Sequence, residues 1–220
     1  MLLASERALL VRYAQSLRSD GLVVGTAGNL SVRSEDVVAI TPSGLDYDDL
    51  TPESVCVVGL DGRRLECRLE PSRELVLHLA AYRATEAAAV VHSHPPFATA
   101  LSAVVGELPP IHYLIADLGG AVPVAAYATP GTEELAEVAA LALEGRAAAL
   151  LANHGAITVG SSLEEAYGRS VLLEWLAGVY LRARSLGEPR LLGEDELERL
   201  AEAIRSYGAA RGSGDPRGAS

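Results

Sequence analysis

The stretch AVVHSHPPFATALS, residues 89–102, begins as an apolar run and carries two histidines two positions apart. The run Ala88 to His92 predicts a buried strand, being short, apolar and rich in valine. Residues two apart on an extended backbone point the same way, so the imidazoles of His92 and His94 converge on one point. Standing alone, such a pair also serves as ordinary hydrogen-bonded core or surface residues. A third histidine, His154, follows a second apolar strand, Ala148 to Leu151, and sits between Asn153 and Gly155. Three neutral imidazoles form a common catalytic zinc shell whose fourth position is left for water, a carboxylate or substrate.

Working outward, Ser72 to Arg83 predicts a helix just before the histidine strand, with Ser72 as its cap and Leu75, Leu79 and Tyr82 at helical spacing. Glu74 then falls in the first turn, where free amides favour a carboxylate. That is an ordinary place for a glutamate, and only the nearby histidines make it a candidate base. Upstream, Ser5 to Gly21 reads as an opening helix, followed by β-like runs at Leu30 to Arg33, Val37 to Ile40, Ser54 to Gly59 and Arg63 to Cys67. Downstream, Thr132 caps a helix ending near Glu144-Gly145, and Ser162 with Glu165 forms a capping box for a long helix to about Ser185. Strands alternate with helices without a βαβ rhythm or a GxGxxG turn, which excludes an ordinary dinucleotide fold. The expected architecture is a three-layer α/β/α sandwich around a central mixed or antiparallel sheet. It forms one domain over residues 1–210, with the tail RGSGDPRGAS (211–220) disordered.

The chain has 220 residues and a formal net charge of -11, which argues against nucleic acid or an anionic membrane as a partner. Neither a membrane-spanning run nor a secretory leader is evident, so a cytoplasmic setting is expected. Cys56 and Cys67 read there as reduced thiols. All 18 basic residues are arginine. Without lysine, no Schiff base can activate a ketone, and a metal ion is the natural substitute. Two glycine-containing loops, Gly25-Thr26-Ala27-Gly28-Asn29 and Thr41-Pro42-Ser43-Gly44, offer free amides and hydroxyls that suit a phosphate, and Ser72 and Arg73 add to them.

Taken in order, TAGNLSVR (26–33), ITPSGLDYDDL (40–50), PSRE (71–74), AVVHSHPPFATALS (89–102), IHYLIADLGG (111–120), YATPGT (127–132) and LLANHGAITVG (150–160) resemble the class II aldolase and adducin-like family. The resemblance spans about Glu6 to Gly208 and lies nearest the family's L-fuculose-1-phosphate aldolases. It implies one zinc ion per subunit on His92, His94 and His154, with Glu74 as a further ligand that leaves to act as the base. It implies phosphate contacts from Gly28, Asn29, Ser43, Gly44 and Ser72, and a substrate that is a phosphorylated ketose. It also implies a homotetramer with shared active sites. In that assembly Tyr113 reaches into a neighbouring subunit's site and protonates the aldehyde oxygen, and Tyr207 lies near the substrate. Ser72-Arg73 stands where the family usually has two serines, and Pro130 where near relatives carry an aromatic residue. Sister reactions share the metal shell: a ribulose-phosphate 4-epimerase has aspartate in place of Glu74, whereas a methylthioribulose-phosphate dehydratase keeps the three histidines. Adducin-like binding modules tend to lack them.

Overall fold

A computed structural model describes residues 1–193, 195–200 and 202. Tyr207 and the tail 211–220 lie outside the described residues.

The core is a nine-stranded sheet. Along the chain its strands are β1 (Asn29–Ser34), β2 (Val37–Ile40), β3 (Cys56–Gly59), β4 (Arg64–Glu66), β5 (Ala89–Ser93), β6 (Glu107–Leu108), β7 (Val122–Ala125), β8 (Ala148–Leu151) and β9 (Gly155–Gly160). Their order across the sheet is β4-β3-β2-β1-β5-β9-β8-β7-β6. Neighbours are antiparallel except β7 and β8, which run parallel, so the sheet is mixed. The helices are α1 (Ala4–Ser19), α2 (Leu75–Ala84), α3 (Pro96–Ser102), α4 (Glu133–Ala142) and α5 (Leu163–Leu186).

Alternation of side chains along the strands divides these helices into two layers. On one face Val38, Val58, Val90 and Ile157 pack with Leu77 and Leu79 of α2 and Leu135 and Ala139 of α4. On the other, Leu30, Ala39, Ala89 and Val91 meet Leu10, Ala14 and Leu17 of α1 and Leu163 and Ala166 of α5. Ala98 and Leu101 of α3 and Leu173 and Leu176 of α5 continue that second layer over Leu150 and Ala156. The expected sandwich is the one observed. Among the described residues, no helix is long and apolar enough to cross a membrane.

The capping expectations hold for α4 and α5, where the Thr132 and Ser162 hydroxyls accept from the Leu135 and Glu165 amides. They fail for α2. That helix starts three residues later than predicted, with Glu74 at the capping position, and the Ser72 hydroxyl accepts only from the Glu74 amide at 3.2 Å. The physical reason is that Glu74 turns its carboxylate away from the helix end and into the site. Both cysteines are free thiols.

Candidate active site

β5 and β9 lie side by side in the middle of the sheet, with His92 in register with Ile157 and Ser93 with Ala156. The sharp connection from β8 into β9 places Asn153 in the left-handed region, at φ 54°. Asparagine tolerates that conformation better than most residues. His154 therefore emerges at the turn beside His94. Gly155 is required there, because a Cβ would meet the Ser93 carbonyl and the His94 ring.

The three rings arrange themselves around one point. Centroids of His92, His94 and His154 are 4.8–4.9 Å apart in every pair, each pair steeply inclined. His92 Nδ1 donates to the Ala156 carbonyl at 3.0 Å, which fixes the ring with its Nε2 facing the cluster. That nitrogen lies 2.9 Å from His94 Nε2 and 3.1 Å from Glu74 Oε2, while His154 Nε2 is 3.3 Å from Glu74 Oε1.

Burial pushes His94 down to about 3 and His154 down to about 4, the neighbouring His92 adding to both shifts. Both rings are thus neutral and offer lone pairs. For Glu74, burial alone would raise the pKa, but the adjacent His92 and the hydrogen bonds from His92 and Asn29 outweigh it and hold the carboxyl well below the usual range. Donor atoms of Glu74, His92, His94 and His154 all fall within 4.8 Å of one another. Glu74 Oε1 and His154 Nδ1 are buried without a hydrogen-bond partner. Three imidazoles converging on one point and an ionised carboxylate with an unpaired oxygen match what a catalytic divalent metal requires.

The cluster opens into a cavity of about 360 Å³ lined by Thr26 to Asn29, Pro42 to Gly44, Ser72 to Glu74, Pro130, Gly131, His94 and His154. Around it the second loop expected to grip phosphate, Thr41 to Gly44, is held against the Glu70–Ser72 segment. Ser72 N–H donates to the Thr41 carbonyl at 3.1 Å and Ser43 N–H to the Glu70 carbonyl at 2.9 Å. Arg73 is exposed, lines the cavity, and makes no salt bridge or hydrogen bond among the described residues. It supplies the local positive charge that the chain's overall balance lacks.

Two features escaped the sequence reasoning. The Tyr47 hydroxyl accepts from the Gly28 amide at 2.9 Å and donates to the Gly28 carbonyl at 2.8 Å, pinning the first glycine loop from behind. Gly131, at φ 80°, brings the YATPGT segment against the Arg73 backbone. Tyr113 is 53% exposed and lies outside this cavity. It starts a short helical turn next to His112, which stacks edge-on against Trp175 of α5.

This geometry has recognisable relatives. The chain is 43% identical over 211 residues to 5-deoxy-D-ribulose 1-phosphate aldolase of Bacillus thuringiensis, covering 94% of this chain and 99% of that one. It is 42% identical over 202 residues to a 5-methylthioribulose-1-phosphate/5-deoxyribulose-1-phosphate aldolase of Rhodospirillum rubrum, covering 90% of each. A solved structure of an L-fuculose 1-phosphate aldolase superposes with a TM-score of 0.91 at 38% identity, over 93% of this chain and 98% of that one. The profile of the Class II Aldolase and Adducin N-terminal domain matches residues 8–181. With its three histidines and glutamate gathered at one point and its sheet shared with these relatives, the chain belongs to the class II aldolase and adducin family.

Proposed function

We propose that the protein is a zinc-dependent aldolase that reversibly cleaves a ketose 1-phosphate into dihydroxyacetone phosphate and a short aldehyde. The observation that carries this reading is the placement of an ionised glutamate between three converging imidazoles and a hydroxyl-lined cavity of about 360 Å³. His92, His94 and His154 would hold the metal. When bound, it supplies the positive charge that polarises the substrate's ketone, the part a lysine plays in Schiff-base aldolases.

Everything else falls to the chain's own groups. Gly28, Asn29, Ser43, Gly44, Ser72 and Arg73 bind the phosphate and set the distance from it to the reacting carbons. Glu74 takes the proton. Its Oε2 is tied to the Asn29 amide at 2.9 Å, whereas Oε1 has no hydrogen-bond partner and is the oxygen free to act as base. Tyr113 is too exposed to serve its own subunit, and its position suits a hydroxyl delivered to a neighbour's site in a homotetramer, where it exchanges a proton with the aldehyde oxygen.

The substrates named for the relatives above share a phosphorylated dihydroxyacetone end and a deoxygenated or thioether far end. That favours a ketose phosphate whose aldehyde half ends in an apolar group. Purified protein should be assayed for metal and for cleavage of 5-deoxyribulose 1-phosphate, L-fuculose 1-phosphate and methylthioribulose 1-phosphate, before and after chelation. Near-stoichiometric zinc with chelator-sensitive release of dihydroxyacetone phosphate is expected. Bound metal without release of dihydroxyacetone phosphate from any of the three would refute the aldolase reading and direct attention to epimerisation or dehydration.

A further inference from the structure

Behind the Glu74 carboxylate and Asn29 runs a line of polar side chains, His78, Ser31 and Tyr82, that the proposed reaction leaves without a task. Asn29 Nδ2 donates to Glu74 Oε2 at 2.9 Å, and Asn29 Oδ1 lies 2.5 Å from His78 Nε2. On the far side of that ring, His78 Nδ1 is 2.7 Å from Ser31 Oγ, which is 2.7 Å from the Tyr82 hydroxyl. His78 and Ser31 are wholly buried and Tyr82 nearly so.

Every link in this line has only one permitted direction. A carboxylate accepts, so the Asn29 amide must present its NH2 to Glu74 and its oxygen to His78. That oxygen needs a donor, so His78 Nε2 carries the proton. The ring is wholly buried and its nitrogens meet only the neutral side chains of Asn29 and Ser31, surroundings that favour the uncharged imidazole, so Nδ1 accepts. Ser31 must then donate to Nδ1, and its oxygen takes the hydrogen of Tyr82. The result is a one-way chain, Tyr82 to Ser31 to His78 to Asn29 to Glu74.

We propose that His78 is a positioning residue for the reaction: held as its Nε2–H tautomer by Ser31 and Tyr82, it dictates which way the Asn29 amide faces. Asn29 thereby ties down Glu74 Oε2 and leaves Oε1 as the basic oxygen. A carboxamide turned the other way would set its oxygen against the carboxylate, loosening the base and depriving it of its one neutral donor. This inference rests on the proposed role of Glu74 for its kinetic consequence, but the tautomer itself is independent of any substrate.

The test has two arms. With only five histidines in the chain, long-range proton–nitrogen NMR of the zinc-loaded, histidine-labelled protein can resolve the His78 ring. The expected result is a proton on Nε2, a bare Nδ1, and no titration around neutral pH. A proton on Nδ1, or a ring that titrates there, overturns the proposal. In the second arm, Ser31→Ala removes the donor to Nδ1 with almost no change of shape. It should keep wild-type zinc content and KM but lower kcat about tenfold, the usual cost of losing a group behind a metal ligand. Tyr82→Phe should cost much less, since Ser31 keeps a hydrogen to donate. An unchanged kcat in Ser31→Ala, or a raised KM with kcat intact, overturns the positioning role. If the wild type cleaves no ketose phosphate, the aldolase reading fails on its own, and the tautomer then decides this inference. It also decides should Ser31→Ala not fold.

Discussion

Replacing Glu74 by glutamine isolates basicity from shape. Glu74 Oε2 accepts from Asn29 Nδ2 at 2.9 Å, so the new amide must set its oxygen there and its NH2 in the place of Oε1, facing His154 Nε2 at 3.3 Å. That orientation keeps the Asn29 bond, and the replacement is nearly isosteric. What disappears is the proton acceptor. Positioned general bases contribute factors of about 10²–10⁴, or roughly 3–5 kcal/mol of barrier. Three imidazoles remain to hold metal, so the assay is run at saturating zinc. The assay is incorporation of solvent deuterium into dihydroxyacetone phosphate, followed by NMR at saturating zinc, alongside metal content and ketose-phosphate cleavage. Exchange and cleavage should fall together by at least about 10². Wild-type exchange in a variant that retains its zinc would remove Glu74 from the proton transfer and refute the reasoning.

Four further outcomes are expected. Gly28→Ala should destabilise by about 1–3 kcal/mol in urea and weaken zinc binding, because its Cβ would lie 2.5 Å from Val23 Cγ1 and 3.0 Å from the His92 carbonyl. Arg73→Ser should raise KM for a ketose phosphate about tenfold with kcat little changed, an effect that added salt should shrink. Tyr113→Phe should lower turnover while gel filtration shows the same assembly; loss of assembly with turnover retained would make it an interface residue. Acid should destabilise the metal-free protein well before carboxylates titrate. His78 sits near 3 when folded against 6.5 as its ordinary value, so below about 6.5 the unfolded chain binds a proton that the folded chain refuses. The stability this gives is complete above that pH and declines by about 1.4 kcal/mol per unit as pH falls towards 3. His94 and His154 are shifted the same way and add to the slope. Urea midpoints should therefore drop between neutral pH and pH 5.5, and drop less in His78→Leu.

The clustering of the candidate metal ligands was legible because its geometry is local. The strand period of two aligns His92 and His94, and an apolar strand before Asn153-His154-Gly155 announces a second arrival point. The layered fold followed from the apolar spacing of the helix before the histidine strand and from the capping residues Thr132 and Ser162 of α4 and α5. What the sequence concealed depends on partners far away in the chain. Pro95-Pro96 reads as a break, yet Pro96 occupies the first turn of α3, a position where a missing N–H costs nothing. β7 contains Pro123, and β9 begins at Gly155 in a loop-like context, so neither showed as a strand. Ser72 has every local mark of a helix cap, but α2 opens later because Glu74 is drawn to histidines on other elements. Likewise Tyr47 and His78 look like core aromatics until the loop and the carboxylate they serve are folded against them.

The seam between β5 and β9 also has a bearing on how the molecule matures. His92 Nδ1 bonds to the carbonyl of Ala156, a residue 64 positions later in the chain. Loop closure of that length must precede any site, and such distant pairings form late and slowly in folding. A nascent or partly collapsed polypeptide can offer His92 and His94 but lacks the third imidazole, so it has no complete seat for a cation. In the metal-dependent enzyme proposed above, ion capture would then act as a proofreading signal. Only a chain that has zipped its central strands in register gains the added stability of occupancy by mass action, and a register slip by one residue would turn His92 to the opposite side of the sheet and forfeit it.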